Sequence, residues 1–361
     1  MKVIIIGGGV VGMLTALALQ DRHHEVLVFD QPTQRPPASW AGGGILSALF
    51  PWRYPAALTH LTSDALSRYQ GIAKRIIASG ASDPEVQQQG MLVLGEDDTV
   101  RAQEWANRYG VSLAMPQARH IEQVPQADNG VWLPDIGSIR NPRLLKGLKH
   151  LLSQSGVSLC FQSVKDVICR NDQWCVTTDS NDFKADKVLI AAGAWSAPLL
   201  TALGCHLPLM PVQGEMMRFV PAKATLNTIV LSSQGYVIPR RDGSYLVGST
   251  LRADSYDQRP TEAGERQLRQ IADQLWPALR DEQPVAHWAG VRPGSAQSWP
   301  WLGEVPGQPG LFVATGHFRN GLVAAPASAT LIAQLICNET PFIDPAPYAL
   351  PSSSNASFFS R

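Results

Sequence analysis

Apolar positions along this 361-residue chain fall into two textures. One is the unbroken β-branched run "VIII" from Val3 to Ile6, which ends on glycines and passes into the apolar stretch "MLTALALQ". That order predicts a fully buried strand, a glycine turn and a helix. "EVLVFD", ending on Asp30, predicts a second strand, and "DKVLIAAGAWS" (186–196) repeats the order of apolar strand, glycine and helix start. The other texture is a series of short apolar segments closed by turns. They lie at 90–98, at 130–140, and in "GEMMRFVPA", "TIVLSSQGYVIPRRDGSYLVGST" and "PVAHWAGVRP". These predict one antiparallel sheet assembled from two insertions, with Asp242-Gly243 at a hairpin turn. Helical spacing predicts helices over 59–79, 141–154 and 262–276, the first with Leu61, Ala65, Leu66, Tyr69 and Ile72 on one face.

The two textures divide the chain into a cofactor domain, residues 1–80, 140–212 and 290–361, and a substrate domain, residues 81–139 and 213–289. Hydrophobic residues make up 45% of the sequence, enough to build both cores. Thirty basic residues balance 30 acidic ones and form no basic block, which argues against nucleic acid and for a small-molecule partner. The five cysteines are scattered without metal-ligand spacing, so no metal site is expected, and reduced thiols in a cytoplasmic protein are. Three glycines break the apolar N-terminus, which therefore reads as folded structure and not as a leader or a membrane span.

Within "GGGVVG", Gly7, Gly9 and Gly12 fit G-x-G-x-x-G. The three provide a tight turn, close approach to a pyrophosphate, and helix-to-strand packing. The helix N-terminus that follows offers free N–H groups and a positive dipole end to the phosphates. Asp30, eighteen residues after Gly12, can accept hydrogen bonds from ribose hydroxyls and would repel a 2′-phosphate, so FAD or NAD is favoured over NADP. A second glycine-rich stop, "SWAGGGILSALFPWRY" from Ser39, is more than a simple NAD domain needs. Its consecutive glycines let backbone N–H groups approach a flat or anionic ligand.

These pieces occur in one order with "IRNPRLLKGL", "YVIPRRDGSYLVGST", "HWAGVRPGS" and "GHFRNGLVAAPA". In that order the chain resembles the D-amino-acid oxidase-like flavoproteins, and among them the bacterial glycine oxidases of thiamine biosynthesis, over nearly its whole length. The resemblance implies an α/β plus α+β architecture: a Rossmann-like FAD-binding domain of the D-amino-acid oxidase and glutathione reductase type, interleaved with an antiparallel-sheet substrate domain. It implies noncovalent FAD and oxidative deamination of a small amine, with dioxygen or another acceptor taking the electrons. It also assigns cofactor contacts to Val10, Val11, Ser39, Ala41, Gly42, Gly43, Gly44, Ile45, Val164 and Gly193. The same holds for the run His317, Phe318, Arg319, Asn320, Gly321, Leu322 and Val323. Sarcosine oxidases of the same type attach flavin through a cysteine, whereas Cys337 lies beyond "GHFRNG" in an apolar helix, so releasable FAD is expected here.

Arg292 and Arg319 stand out as permanent cations in otherwise apolar segments, and a guanidinium fork can hold a carboxylate by two parallel hydrogen bonds. By the resemblance both bind the substrate carboxylate, together with Tyr236, while Ile45 and Leu251 match substrate-contacting sites. No catalytic acid or base is expected: hydride passes directly from the amine Cα to flavin N5, and orientation carries the rate. His317 and His287 have no recognisable carboxylate partner in sequence and read as structural. A D-amino-acid dehydrogenase passing electrons to a quinone, or a flavin-binding regulatory protein without turnover, stays open, as does assembly into a homo-oligomer.

Overall fold

The computed structural model describes residues 1–32, 37–95, 98–223 and 225–351. Positions 96–97 of one predicted strand, residue 224 of the predicted substrate domain and 352–361 of the predicted cofactor domain lie outside them. The β-branched runs form the centre of a six-stranded sheet in the order Trp301–Glu304, Leu311–Thr315, Lys187–Ile190, Lys2–Ile6, Glu25–Phe29, Ser158–Cys160. All neighbours are parallel except the antiparallel edge pair Trp301–Glu304 and Leu311–Thr315. Buried on both faces, these strands need no polar alternation, and Val3, Ile4, Ile5, Val188, Leu189 and Ile190 are all sealed from solvent. One face packs on the Val10–Gln20, Asn141–Gln154 and Gly321–Ile336 helices. The other is covered by a three-stranded antiparallel sheet, Val164–Arg170, Gln173–Thr178 and Asp182–Ala185, through Val167, Trp174 and Val176.

The turn-bounded segments form a second sheet of eight strands, antiparallel as expected except where the two insertions meet, Met91–Val93 lying parallel to Ile229–Leu231. Its strands alternate: Val237 and Val247 face the Glu262–Leu275 helix, while Tyr236, Ile238 and Leu246 face the glycine run and the cofactor side. The Tyr236–Pro239 and Tyr245–Gly248 strands turn through Gly243 at φ 78°, as Asp242-Gly243 predicted. Two of its strands, Leu209–Phe219 and Ala286–Ser295, pair continuously from Leu209↔Ser295 to Arg218↔Ala286. The sequence boundaries at 212/213 and 289/290 therefore fall inside unbroken strands. The helix expected over 59–79 is two, Ala56–Thr62 and Ala65–Ala78. The break falls at polar Ser63-Asp64, where Asp64 leaves helical geometry and bonds Arg68 at 2.7 Å. Among the described residues no helix is long and apolar enough to cross a membrane.

Candidate active site

Two helix N-termini open into one cavity of about 710 Å³. At the first, Gly7 holds φ 120°, and a Cβ there would overlap the Ala191 carbonyl, so only glycine lets the turn close on the neighbouring strand. A Cβ on Gly12 would strike the Gly7 carbonyl, so Gly12 serves helix-to-strand packing and does not line the cavity. Gly9, Val10 and Val11 do line it. The Val10–Gln20 helix has no acid in its first turn, and its Val10 N–H donates to the Ser39 hydroxyl at 3.1 Å. Asp30 accepts from the Gly8 N–H at 3.3 Å and faces Lys149 at 3.6 Å. Val164 and Gly193 also border the cavity.

The glycine run Gly42, Gly43 and Gly44 forms the middle wall with Ile45. A Cβ on Gly43 would press within 2.9 Å of the Tyr236 ring, so this glycine lets the loop and the tyrosine share one surface. Ala41 is buried behind the wall, its carbonyl accepting from the Trp288 indole at 2.9 Å. Two residues that sequence reading passed over hold the loop. Asn141 donates to the carbonyls of Ser39 and Gly42 at 2.9 and 3.0 Å, and Arg240 donates to those of Gly43 and Ile139 at 2.6 and 3.0 Å. Their only sequence signals are an Asn at a helix start and the first of two Arg before a turn, neither distinctive.

At the far end Tyr236, Arg292 and Arg319 all line the cavity. Arg292 donates to the Thr250 carbonyl at 3.2 Å and the Ser249 hydroxyl at 3.0 Å, and has no carboxylate partner among the described residues. Burial pushes it down to about 10, with nearby Arg319 adding repulsion against the opposing influence of Tyr236. Its guanidinium crosses the face of Gly214, where a Cβ would overlap it. Gly214 is thus a further residue that sequence reading missed, since a single strand glycine carries no such message. Arg319 sits in a short turn, Phe318–Asn320, and makes no hydrogen bond or ion pair among the described residues. The Tyr236 hydroxyl donates only to the Met216 sulfur at 3.4 Å. Phe318, Gly321, Leu322 and Val323 line the cavity where the Gly321–Ile336 helix begins. Asn320 is buried beneath it and leaves that N-terminus without a side-chain cap.

The two histidines differ from expectation in one respect. His317 is buried against the Ser328 hydroxyl at 3.1 Å, and burial lowers it to about 3, which keeps it neutral. His287, however, does have a carboxylate partner, Glu215 at 2.7 Å, delivered by strand pairing from a distant part of the sequence. Neither His287 nor Glu215 borders the cavity. Ile45 borders it, while Leu251, in the gap between the Tyr245–Gly248 and Arg252–Ala253 strands, is 51% exposed and does not.

A family profile described as FAD dependent oxidoreductase matches residues 2–335. The chain belongs to that family. This FAD-dependent oxidoreductase is 42% identical to the glycine oxidase of Pseudomonas aeruginosa, over 96% of this chain and 98% of that one. It matches the crystal structure of glycine oxidase from Geobacillus kaustophilus with a TM-score of 0.91 at 27% identity, over 97% and 98% of the two chains. A longer relative, the bifunctional protein ThiO/ThiG of Synechocystis, is 29% identical over 93% of this chain and 52% of its own.

The oxidoreductase's residues fit FAD. One cavity carries an acid for ribose hydroxyls, two helix N-termini for phosphate and flavin carbonyl, and a glycine wall for a flat ring. Two buried side-chain oxygens of cavity-lining residues, Asn141 Oδ1 and Gln162 Oε1, have no hydrogen-bond partner among the described residues, as expected where a ligand supplies the donor.

Proposed function

We propose that this protein oxidises glycine, or another small amine such as sarcosine or a small D-amino acid, to its imine. The electron pair then passes to dioxygen, giving hydrogen peroxide. The observation that carries the reading is the convergence of Arg292, Arg319 and the Tyr236 hydroxyl on one end of the cavity with no protein carboxylate among them. A guanidinium has five donors, and Arg292 uses two of its nitrogens on Ser249 and Thr250, so both arginines keep N–H groups for a substrate carboxylate.

Bound FAD would supply the acceptor of the Cα hydride. The chain's part is to fix the carboxylate, and through it the Cα, and to keep water from the reacting atoms with Ile45 and Pro293. Two neighbouring cations also disfavour an ammonium group, so the substrate amine sheds its proton and its lone pair can push the hydride out. His317, bonded to Ser328 and lowered by burial to about 3, is too weak a base to take up a proton near pH 7, which supports a reaction without a protein acid or base. In water the imine of glycine gives glyoxylate and ammonia. The bifunctional relative supports the alternative that it is passed on to form the thiazole of thiamine.

The test is anaerobic stopped-flow with glycine, sarcosine and D-alanine, followed by admission of oxygen. Bleaching of the flavin and one peroxide per amine is the expected result. Bleaching without peroxide would favour a dehydrogenase using a quinone. No bleaching with any amine would leave a flavin-binding protein without turnover.

A further inference from the structure

Arg240 is buried, carries no carboxylate within ion-pair reach among the described residues, and stands behind the glycine wall, not on the cavity. It donates to the Gly43 carbonyl at 2.6 Å, the Ile139 carbonyl at 3.0 Å and the Ser138 hydroxyl at 3.3 Å. Asn141 takes the preceding carbonyl, that of Gly42, at 3.0 Å. In a trans peptide the C=O and the following N–H point in opposite directions. Drawing the Gly42 and Gly43 carbonyls outward therefore turns the Gly43 and Gly44 N–H groups the other way. The N–H groups of Gly43, Gly44 and Ile45 have no acceptor among the described residues, although all three residues line the cavity.

A neutral amide could tie back these carbonyls as Asn141 does. A buried cation is a costly way to do so, because its desolvation amounts to several kcal/mol. What the cation adds is a positive field one peptide away from the cavity. We propose that Arg240 is a positioning residue that, with Asn141, holds the 42–45 loop as a donor-only wall and stabilises the electron-rich, reduced form of bound FAD. The inference rests on FAD binding and not on the identity of the amine.

The experiment titrates FAD-loaded protein with dithionite beside a reference dye of known potential, with no amine present, so its result is independent of the glycine reading. Dithionite delivers two electrons to FAD, with one proton for an anionic reduced form, or two electrons to the dye. In Arg240→Gln the reduced form should lose about tenfold in the exchange equilibrium, about 30 mV for a two-electron couple. Arg240→Lys, which keeps the charge but cannot span both carbonyls, should lose about threefold. A strut with no electronic role would weaken FAD binding and lower Tm yet leave the equilibrium of the bound cofactor unchanged. The proposal is overturned if FAD-loaded Arg240→Gln stays within threefold of the parent. Should Arg240→Gln fail to fold or to bind FAD, Arg240→Lys decides: a loss of twofold or more sustains the proposal. A smaller change, or failure of both variants to hold FAD, reduces Arg240 to a strut.

Discussion

The guanidinium of Arg292 occupies the space that a side chain at Gly214 would need. The two lie on paired strands, Val212 facing Arg292 and Gly214 facing Gly290, so the missing side chain at 214 forms the bed on which the cation rests. Gly214→Ala should push Arg292 off its Ser249 and Thr250 partners. A tenfold or larger rise in KM is expected, the equivalent of about 1.4 kcal/mol or more, with the FAD content of the purified protein unchanged. Loss of FAD together with substrate binding would show that residue 214 serves the fold instead.

Arg319 has no hydrogen-bond or ion-pair partner among the described residues to leave behind when truncated. Arg319→Ala therefore removes a charge-assisted contact worth roughly 1.5–3 kcal/mol without stranding a buried carboxylate. Substrate dissociation, read from anaerobic flavin reduction, should weaken by about 10- to 100-fold, while the FAD dissociation constant moves by much less. Equal loss of both would place Arg319 on the cofactor.

The lowered proton affinity of Arg292 sets an alkaline limit. Held at about 10 in the free protein, it is charged at neutral pH and loses its charge as pH passes that value. The kcat/KM profile should rise as the substrate amine deprotonates and fall above about pH 10. A bound carboxylate favours the cation, so the falling limb in kcat should lie at higher pH. A profile flat to pH 11 would contradict this assignment.

His317 affects stability at the acid side. Its folded value of about 3 lies below the ordinary 6.5, so the unfolded chain holds the extra proton between the two values. Stability is complete above about 6.5 and declines by about 1.4 kcal/mol per pH unit as pH falls towards about 3. Urea midpoints near pH 7 and near pH 5 should show this loss, and His317→Asn should reduce it. His24 and His120, also lowered by burial, would account for a remainder.

The parts of the fold that are local patterns were legible in the sequence. The Val3–Ile6 run, the glycines after it, Asp30 and the Asn141–Gln154 helix lie where periodicity and turn chemistry put them. Arg292 and Arg319 were legible because a charge in an apolar run is conspicuous. What stayed hidden depends on long-range pairing. Glu215 and His287 meet only because two strands 72 residues apart align. Arg240 was hidden because a hairpin brings it under a loop residue 197 positions earlier in the chain. Leu251 is assigned to the substrate by the resemblance alone, and it falls in the gap between the Tyr245–Gly248 and Arg252–Ala253 strands, where its side chain turns out to solvent.

The continuous pairing of Leu209–Phe219 with Ala286–Ser295 has a bearing on how such a protein can change over time. One end of the ribbon, Leu209 with Ser295, packs beside the parallel sheet, and the other, at Met217 and Phe219, lies in the core of the second sheet, so no cut between residues frees either half with its hydrogen bonds intact. Trading the second sheet for another by recombination would break this ribbon at two places at once. New substrate preferences are therefore more accessible through point changes around Ile45, Ser249 and Pro293 than through exchange of modules.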